Sequence, residues 1–297
     1  MTVAGLENVE DIYPLSPMQQ GMVFHTISEP GSGVFINQID ITLRGMLNVG
    51  AFQAAWADLV SRHAMLRTVF LWDGLDEPLQ VVREQASLEW KEEDWSSLPP
   101  EAREQNMVEL LAADRRRGFD LTTAPLTRMA IIRAGDESWR WVWSTHHAIL
   151  DGWSAQVLLD ELWTHYDAHL RDTDPSVAPP FPYRNFIRQV STRDEAAEEA
   201  FWRERLQGFS EPHRLEVPGL APAADSHGYR SHSITLDVAS TQSLEAMARE
   251  NQVTLNTAVV GAWSLLLARW TREREVVFGV TNAGRPAELP GCERGVG

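Results

Sequence analysis

The sequence predicts an α/β or α+β fold in layers, with mixed sheet and flanking helices. Three observations carry this. Segments of strand period alternate with segments of helix period along the 297 residues. Two apolar runs flank Gly135-Asp136 and mark an antiparallel hairpin. The composition, 43% hydrophobic with 16 Pro and 19 Gly, suits a chain that buries a full core as one large domain or two modest lobes.

The elements follow in chain order. Residues 34–44 (VFINQIDITLR) alternate apolar and polar and read as a strand. Residues 48–63 read as a helix: Asn48 is an N-cap, and Phe52, Trp56, Leu59 and Val60 share one face. A strand at 66–72, a turn at Asp73-Gly74 and a short strand near 79–83 come next. Pro99-Pro100 opens a helix to about Arg116. Strands at 126–133 and 139–145 form the hairpin, and a helix runs from about 153 to 170. Residues 171–182, rich in Pro and polar groups, form a connector and place a lobe boundary there. Helix is expected again at 185–206, followed by a proline-rich loop from Glu211 to His227. The last elements are a strand at 231–238, helices at 240–250 and 254–270, and a strand at 275–281. A second lobe built on those two strands would hold a thin sheet, so residues beyond 297 are expected in a longer parent.

Charge and composition exclude several function classes. The formal net charge is −16, and Lys91 is the only lysine. Such a surface repels polyanions, so neither nucleic acid nor an anionic membrane is an expected partner. The run Arg115-Arg116-Arg117 lies near Asp114 and Asp120 and reads as the solvated end of a helix. No apolar run approaches the ~18 residues that cross a bilayer. The N-terminus has no signal-peptide pattern, and a single cysteine, Cys292, forms no internal disulfide; both point to the cytoplasm.

No nucleophile elbow, P-loop, CxxC pair or HExxH is present, and Gly31-Ser32-Gly33 lacks the third glycine of a dinucleotide loop. One segment concentrates chemistry: His146-His147-Ala148-Ile149-Leu150-Asp151-Gly152-Trp153-Ser154. It joins a strand carrying Trp139, Trp141 and Trp143 to a helix. Neighbouring residues at a strand end face opposite ways, so one imidazole can face a cleft while the other packs inward. An imidazole in a partly dry cleft can hold or accept a proton near neutral pH. Gly152 permits a tight turn or the close approach of a ligand. The structural alternative is a buried His146-His147 pair with Asp151 as a helix cap, and spacing alone favours it. A zinc site lacks a third ligand at suitable spacing. His165 and His169 are four apart on a helix, and we place them on its solvent side because Leu158, Leu159, Leu162 and Tyr166 supply the apolar face.

His146 to Ser154 resembles the HHxxxDGxS signature of the condensation domains of nonribosomal peptide synthetases, which are related to chloramphenicol acetyltransferase. Further segments resemble the family's other motifs, in the family's order. Tyr13 to His25 (YPLSPMQQGMVFH) is similar to its opening, and Ser61 to Phe70 (SRHAMLRTVF) to its RHExLRTxF, with Ala64 in place of an acidic residue. Phe119-Asp120-Leu121 with Ala124-Pro125-Leu126 resembles FDLxxAPL. Tyr183 to Val190 is a loose match to the fourth motif, and Phe278 to Pro286 (FGVTNAGRP) resembles the start of the fifth. The chain stops at Gly297, before the apolar Asn-Thr strand that ends that motif.

The resemblance implies a two-lobed, chloramphenicol acetyltransferase-like fold. Residues 1–175 would form the N-terminal lobe, and 176–297 a linker and a partial C-terminal lobe. It implies amide-bond formation: the amine of an acceptor aminoacyl thioester attacks a donor acyl or peptidyl thioester. Donor and acceptor carrier proteins would deliver both on phosphopantetheine arms into a tunnel between lobes, with further synthetase domains downstream. The domain itself would bind no cofactor and no metal. By position His147 would be the active-site histidine, either taking the proton from the amine or holding the amine in line, Gly152 an N–H donor to the oxyanion, and Asp151 the partner of an arginine that falls at Arg285. His146 and Arg67 would be structural. Trp153, Ser154, His25, Met18 and Gln19 are candidates for the tunnel wall; Trp153 equally well simply begins the helix, and for His25, Met18 and Gln19 packing between lobes is the preferred alternative. The PMQQGMxFH opening and the Gly152-Trp153 pair look most like the subtype that takes a D-configured donor. The alternatives are an epimerisation domain or a small-molecule acyltransferase of the same superfamily, and, in another class, an inactive fragment or carrier-binding module.

Overall fold

The computed structural model describes residues 8–211, 213, 233–286 and 288–297. Two compact units divide it: 1–193 with 283–297, and 194–282.

The first unit holds two sheets. β1 (Val9–Pro14), β4 (Leu79–Arg83) and β3 (Thr68–Leu71) form a small antiparallel sheet in the order β1-β4-β3. The main sheet has the order β2-β7-β6-β5. Its strands are β2 (Ile36–Arg44), β5 (Glu89–Asp94), β6 (Thr127–Gly135) and β7 (Ser138–His146). β6 and β7 make the expected hairpin, β2 pairs antiparallel with β7, and β5 pairs parallel with β6. The sheet is therefore mixed.

Side-chain period explains how the main sheet meets its helices. Trp139, Trp141 and Trp143 alternate along β7 and turn to one face. There α2 (Val49–Arg62) presents Phe52, Trp56 and Leu59, and α4 (Gly152–Arg171) presents Leu158 and Leu162. Trp56 meets Trp143 edge-on at 5.0 Å between ring centroids, and Trp141 stacks on Trp143 at 6.0 Å. Each such side chain contributes about 1.5–3 kcal/mol by leaving water. α2 starts as its sequence predicts: Asn48 Oδ1 accepts from the Ala51 amide. On the opposite face, Met107 of α3 (Pro100–Arg117) packs with Ala130, Ile132 and Val142.

Arg67 sits where α2, β1 and β4 converge. It is 5% exposed, and it donates to the carbonyls of Val60, Ser61 and Arg83 and to the Glu10 carboxylate. One guanidinium thereby joins the end of a helix to two strands.

Several expectations are corrected. The strand expected at 66–72 begins only at Thr68, because Ala64–Arg67 wind into a 3-10 turn. The helix expected at 185–206 is two: α5 (Tyr183–Val190), then a turn, then α6 (Glu195–Arg205), which Asp194 caps through the Ala197 amide. Past Arg171, which closes α4, the connector to 182 lacks helix and strand apart from a bridge at Phe181, but the compact units part later. The reason is α5, whose Ile187 packs with Tyr13 and Val82 and keeps it in the first unit. The sequence pattern predicts no element at β1, at β5 or at α1 (Pro17–Ser28), and all three form. α1 begins with a full capping box between Ser16 and Gln19. The arginine run is largely paired: Arg115 donates to the Ile36 carbonyl, and Arg117 grips Glu89.

In the second unit, α7 (Val238–Glu250) and α8 (Leu255–Thr271) match the expected helices, each capped by the residue before it. The strands expected at 231–238 and 275–281 are not formed among the described residues; 231 and 232 lie outside them. A strand exists only where a neighbour takes up its ladder hydrogen bonds, and no described segment does so here. Most of the loop from Glu211 to His227 also lies outside the described residues. Among the described residues, no helix is long and apolar enough to cross a membrane.

Candidate active site

The site is the turn between β7 and α4. His146, the last residue of β7, pairs with Ile36 of β2 and is 1% exposed. Its protons can be placed by elimination. The Ala148 amide donates to Nδ1 at 3.2 Å, so Nδ1 is unprotonated and Nε2 carries the hydrogen. Nε2 then donates to the Thr26 hydroxyl at 3.0 Å, and that hydroxyl donates to the Met22 carbonyl at 2.7 Å. Burial, and then the neighbouring His147, push the pKa of His146 down to about 4. His146 is a neutral fastener between the turn and α1.

His147 is only half-buried. Its amide donates to the Phe35 carbonyl at 2.7 Å and extends the β2–β7 ladder by one rung. Its Nδ1 lies 2.7 Å from the Leu150 carbonyl. A carbonyl only accepts, so Nδ1 carries the hydrogen and Nε2 keeps its lone pair. Nε2 has no hydrogen-bond partner among the described residues.

Asp151 satisfies two readings at once. Its Oδ1 accepts from the amide and hydroxyl of Ser154, at 2.7 and 2.6 Å, and caps α4. Its two oxygens also take Arg285, with NH1 to Oδ2 at 2.6 Å and NH2 to Oδ1 at 3.1 Å. Burial opposes the charge, but hydrogen bonds from Arg285 and Ser154 outweigh it and hold the carboxyl below the usual carboxylate range. Arg285 also donates to Ser154 Oγ and to the Gly295 carbonyl, and the Gly297 amide donates to Ser154 Oγ. Ser154 is fully buried within this knot rather than on an open wall.

Gly152 opens α4, and its amide is among the first donors that a helix leaves without internal partners. A Cβ added there would meet nothing within 4 Å. The chain therefore needs no glycine there for its own packing. A cavity of about 430 Å³ adjoins it, lined by Asn37, Gln38, Leu150, Asp151, Gly152 and Ala155.

The remaining candidates separate. Trp153 is half-exposed; its indole donates to the Glu293 carbonyl and lies 5.6 Å from the Arg285 guanidinium. Met18 is exposed on α1, and His25, also exposed, packs against Phe24 and Phe35. Gln19 takes the packing alternative: at 4% exposed it faces inward, donating to the Ala148 carbonyl at 3.0 Å while bonding Gln80, so it braces the histidine turn from behind. His165 is corrected: it is buried and meets Asp58 Oδ2 at 3.0 Å, whereas His169 is exposed, as expected, and meets the same oxygen at 2.8 Å. No cluster that could hold a metal occurs among the described residues. Sequence reasoning missed Thr26 and Asn37, whose Nδ2 lies 3.0 Å from His147 Nδ1. Only the strand register brings Asn37 to the histidine, and no local pattern announces a register.

The family model described as condensation domain matches residues 9–297. A component of the linear gramicidin synthase of Brevibacillus parabrevis is 40% identical over 289 residues, covering 97% of this chain and 6% of that protein. Surfactin synthase subunit 3 of Bacillus subtilis (strain 168) is 34% identical over 298 residues, covering 98% and 23%. The chain thus spans a small part of these relatives. Among solved structures, the starter condensation domain of rhizomide synthetase RzmA aligns with a TM-score of 0.75 at 21% identity, over 96% of this chain and 63% of that one. A four domain nonribosomal peptide synthetase bound to AMP and glycine aligns with a TM-score of 0.77 at 20% identity, over 100% and 22%. These two likenesses concern the fold.

Proposed function

Because the chain belongs to the condensation-domain family, we propose that it joins two carrier-bound substrates through an amide bond. The acceptor amine attacks the donor thioester carbonyl. A C–N bond forms, the C–S bond breaks, and the donor's pantetheine thiol leaves. The proton lost by the amine goes to His147 Nε2 and from there to the departing sulfur. Gly152 N–H faces the charge that develops on the carbonyl oxygen. Asp151 and Arg285 hold the turn that carries both groups.

The observation that carries this reading is the 2.7 Å approach of His147 Nδ1 to the Leu150 carbonyl. It commits the hydrogen to Nδ1 and leaves a lone pair on the other nitrogen, as a general base requires. Such a base contributes roughly 10²–10⁴-fold, and alignment of amine and thioester contributes beside it. The partners are a donor and an acceptor carrier protein, and the phosphopantetheine arms arrive with them rather than residing in this domain. The strongly negative surface and the absence of a long apolar helix among the described residues support action on soluble partners.

The test is peptide transfer between loaded carrier proteins by the full-length protein. His147→Ala is expected to lower turnover at least about 100-fold with an unchanged melting temperature. Full turnover by that variant removes His147 from the mechanism. Equal turnover with a free amine and an acyl-CoA, without carriers, would instead favour a small-molecule acyltransferase.

A further inference from the structure

We infer that Asn37 is a positioning residue for this reaction: its amide oxygen is a second acceptor for the Nδ1 hydrogen of His147. The inference rests on the reading of His147 as the base. Asn37 lies on β2, opposite Thr145 of β7 in the ladder, and its Nδ2 sits 3.0 Å from His147 Nδ1. Among the described residues its side chain bonds to nothing else. Since Leu150 O at 2.7 Å fixes a hydrogen on Nδ1, an amide NH₂ there would set a donor against a donor. Half a turn about the amide's terminal torsion puts Oδ1 in the same place. The Nδ1 hydrogen then lies between two acceptors, the Leu150 carbonyl and the Asn37 amide.

Two consequences follow for the chemistry. A planar ring held at Nδ1 by two acceptors from different elements, one on the turn and one on a strand, is fixed in orientation, so Nε2 keeps one aim. Both acceptors also grow stronger partners when the ring gains its second proton, because a charged donor bonds more strongly than a neutral one. The benefit is therefore greater in the transition state than in the ground state, which is the condition for raising kcat rather than lowering KM. Asn37 also lines the 430 Å³ cavity beside Gly152. It is exposed and on an edge strand, so its replacement leaves the core intact.

The experiment compares Asn37→Leu, Asn37→Asp and His147→Ala in the full-length protein with loaded carrier proteins. Leu removes the acceptor at similar volume. Asp keeps the acceptor oxygen and has no NH₂. Asn37→Leu is expected to lower kcat about tenfold, with KM for both carriers and the melting temperature unchanged. Asn37→Asp is expected to restore kcat to within about threefold of the parent. Parental kcat in Asn37→Leu, or an Asp variant as slow as the Leu variant, overturns the role of Asn37. A fully active His147→Ala overturns the underlying reading instead, so the two failures are told apart.

Discussion

The Asp151 carboxylate caps α4 through the Ser154 amide at 2.7 Å and, with both oxygens, grips Arg285 at 2.6 and 3.1 Å. Residues 134 positions apart are thus fastened beside the histidine turn. The two duties can be separated by mutation. Asparagine still caps a helix but carries no charge. Asp151→Asn is expected to lose the pairing alone, and Asp151→Ala to lose about 1 kcal/mol more with the cap. In a double-mutant cycle with Arg285→Ala, chemical denaturation should return a coupling of about 1–2 kcal/mol for this half-buried pair. A coupling near zero would show that the turn stands without it.

Acid stability reports on His146. Its folded pKa, about 4, lies below the ordinary 6.5, so the unfolded chain binds the extra proton first. Stability is full above pH 6.5 and declines as pH falls towards about 4, by up to about 3 kcal/mol. Asp151 acts lower: its contribution is present above its ordinary 3.8 and disappears as pH falls through its depressed folded value. Melting temperatures between pH 7 and pH 4 should therefore slope in the parent and flatten in His146→Gln. The same slope in both would acquit His146.

Gly152 separates folding from function. Its Cβ would meet nothing within 4 Å, so Gly152→Ala should fold with an equal or slightly higher melting temperature. Turnover is expected to fall about tenfold or more if a substrate oxygen must reach that amide. Unchanged kinetics would remove Gly152 from the oxyanion role.

Thr26 tests the fastening of His146 to α1. Thr26→Val keeps shape and deletes the hydroxyl that accepts from Nε2. A buried donor without a partner costs about 1–3 kcal/mol, which thermal or chemical melting would register. A neutral result would mean that the imidazole finds another acceptor.

What could be read in advance depended on how local the cause was. α2 was legible because Asn48 and the Phe52–Val60 stripe both lie inside it. The β6–β7 hairpin was legible because its turn and both strands are contiguous. β1 and β5 escaped because their sequences, VEDIYP and EWKEED, are charged and become strands only beside β4 and β6. α1 was readable and overlooked, since Ser16, Pro17 and Gln19 spell out a capping box. The apolar stretch at 275–281 shows the converse, because a strand pattern without a ladder partner among the described residues makes no strand. In the site, the turn from His146 to Ser154 and the partner Arg285 came from motifs. Asn37, Thr26 and the bracing role of Gln19 came only from the packing of distant elements.

The central claim is that the base nitrogen of residue 147 is kept free because the carbonyl of Leu150 holds the hydrogen on the other one. Two-bond nitrogen–proton correlation spectra of the histidine-labelled protein, with His147→Ala to assign the signal, measure this directly. The account predicts a protonated Nδ1 and an unprotonated Nε2 at neutral pH. A spectrum with the hydrogen on Nε2 would contradict it.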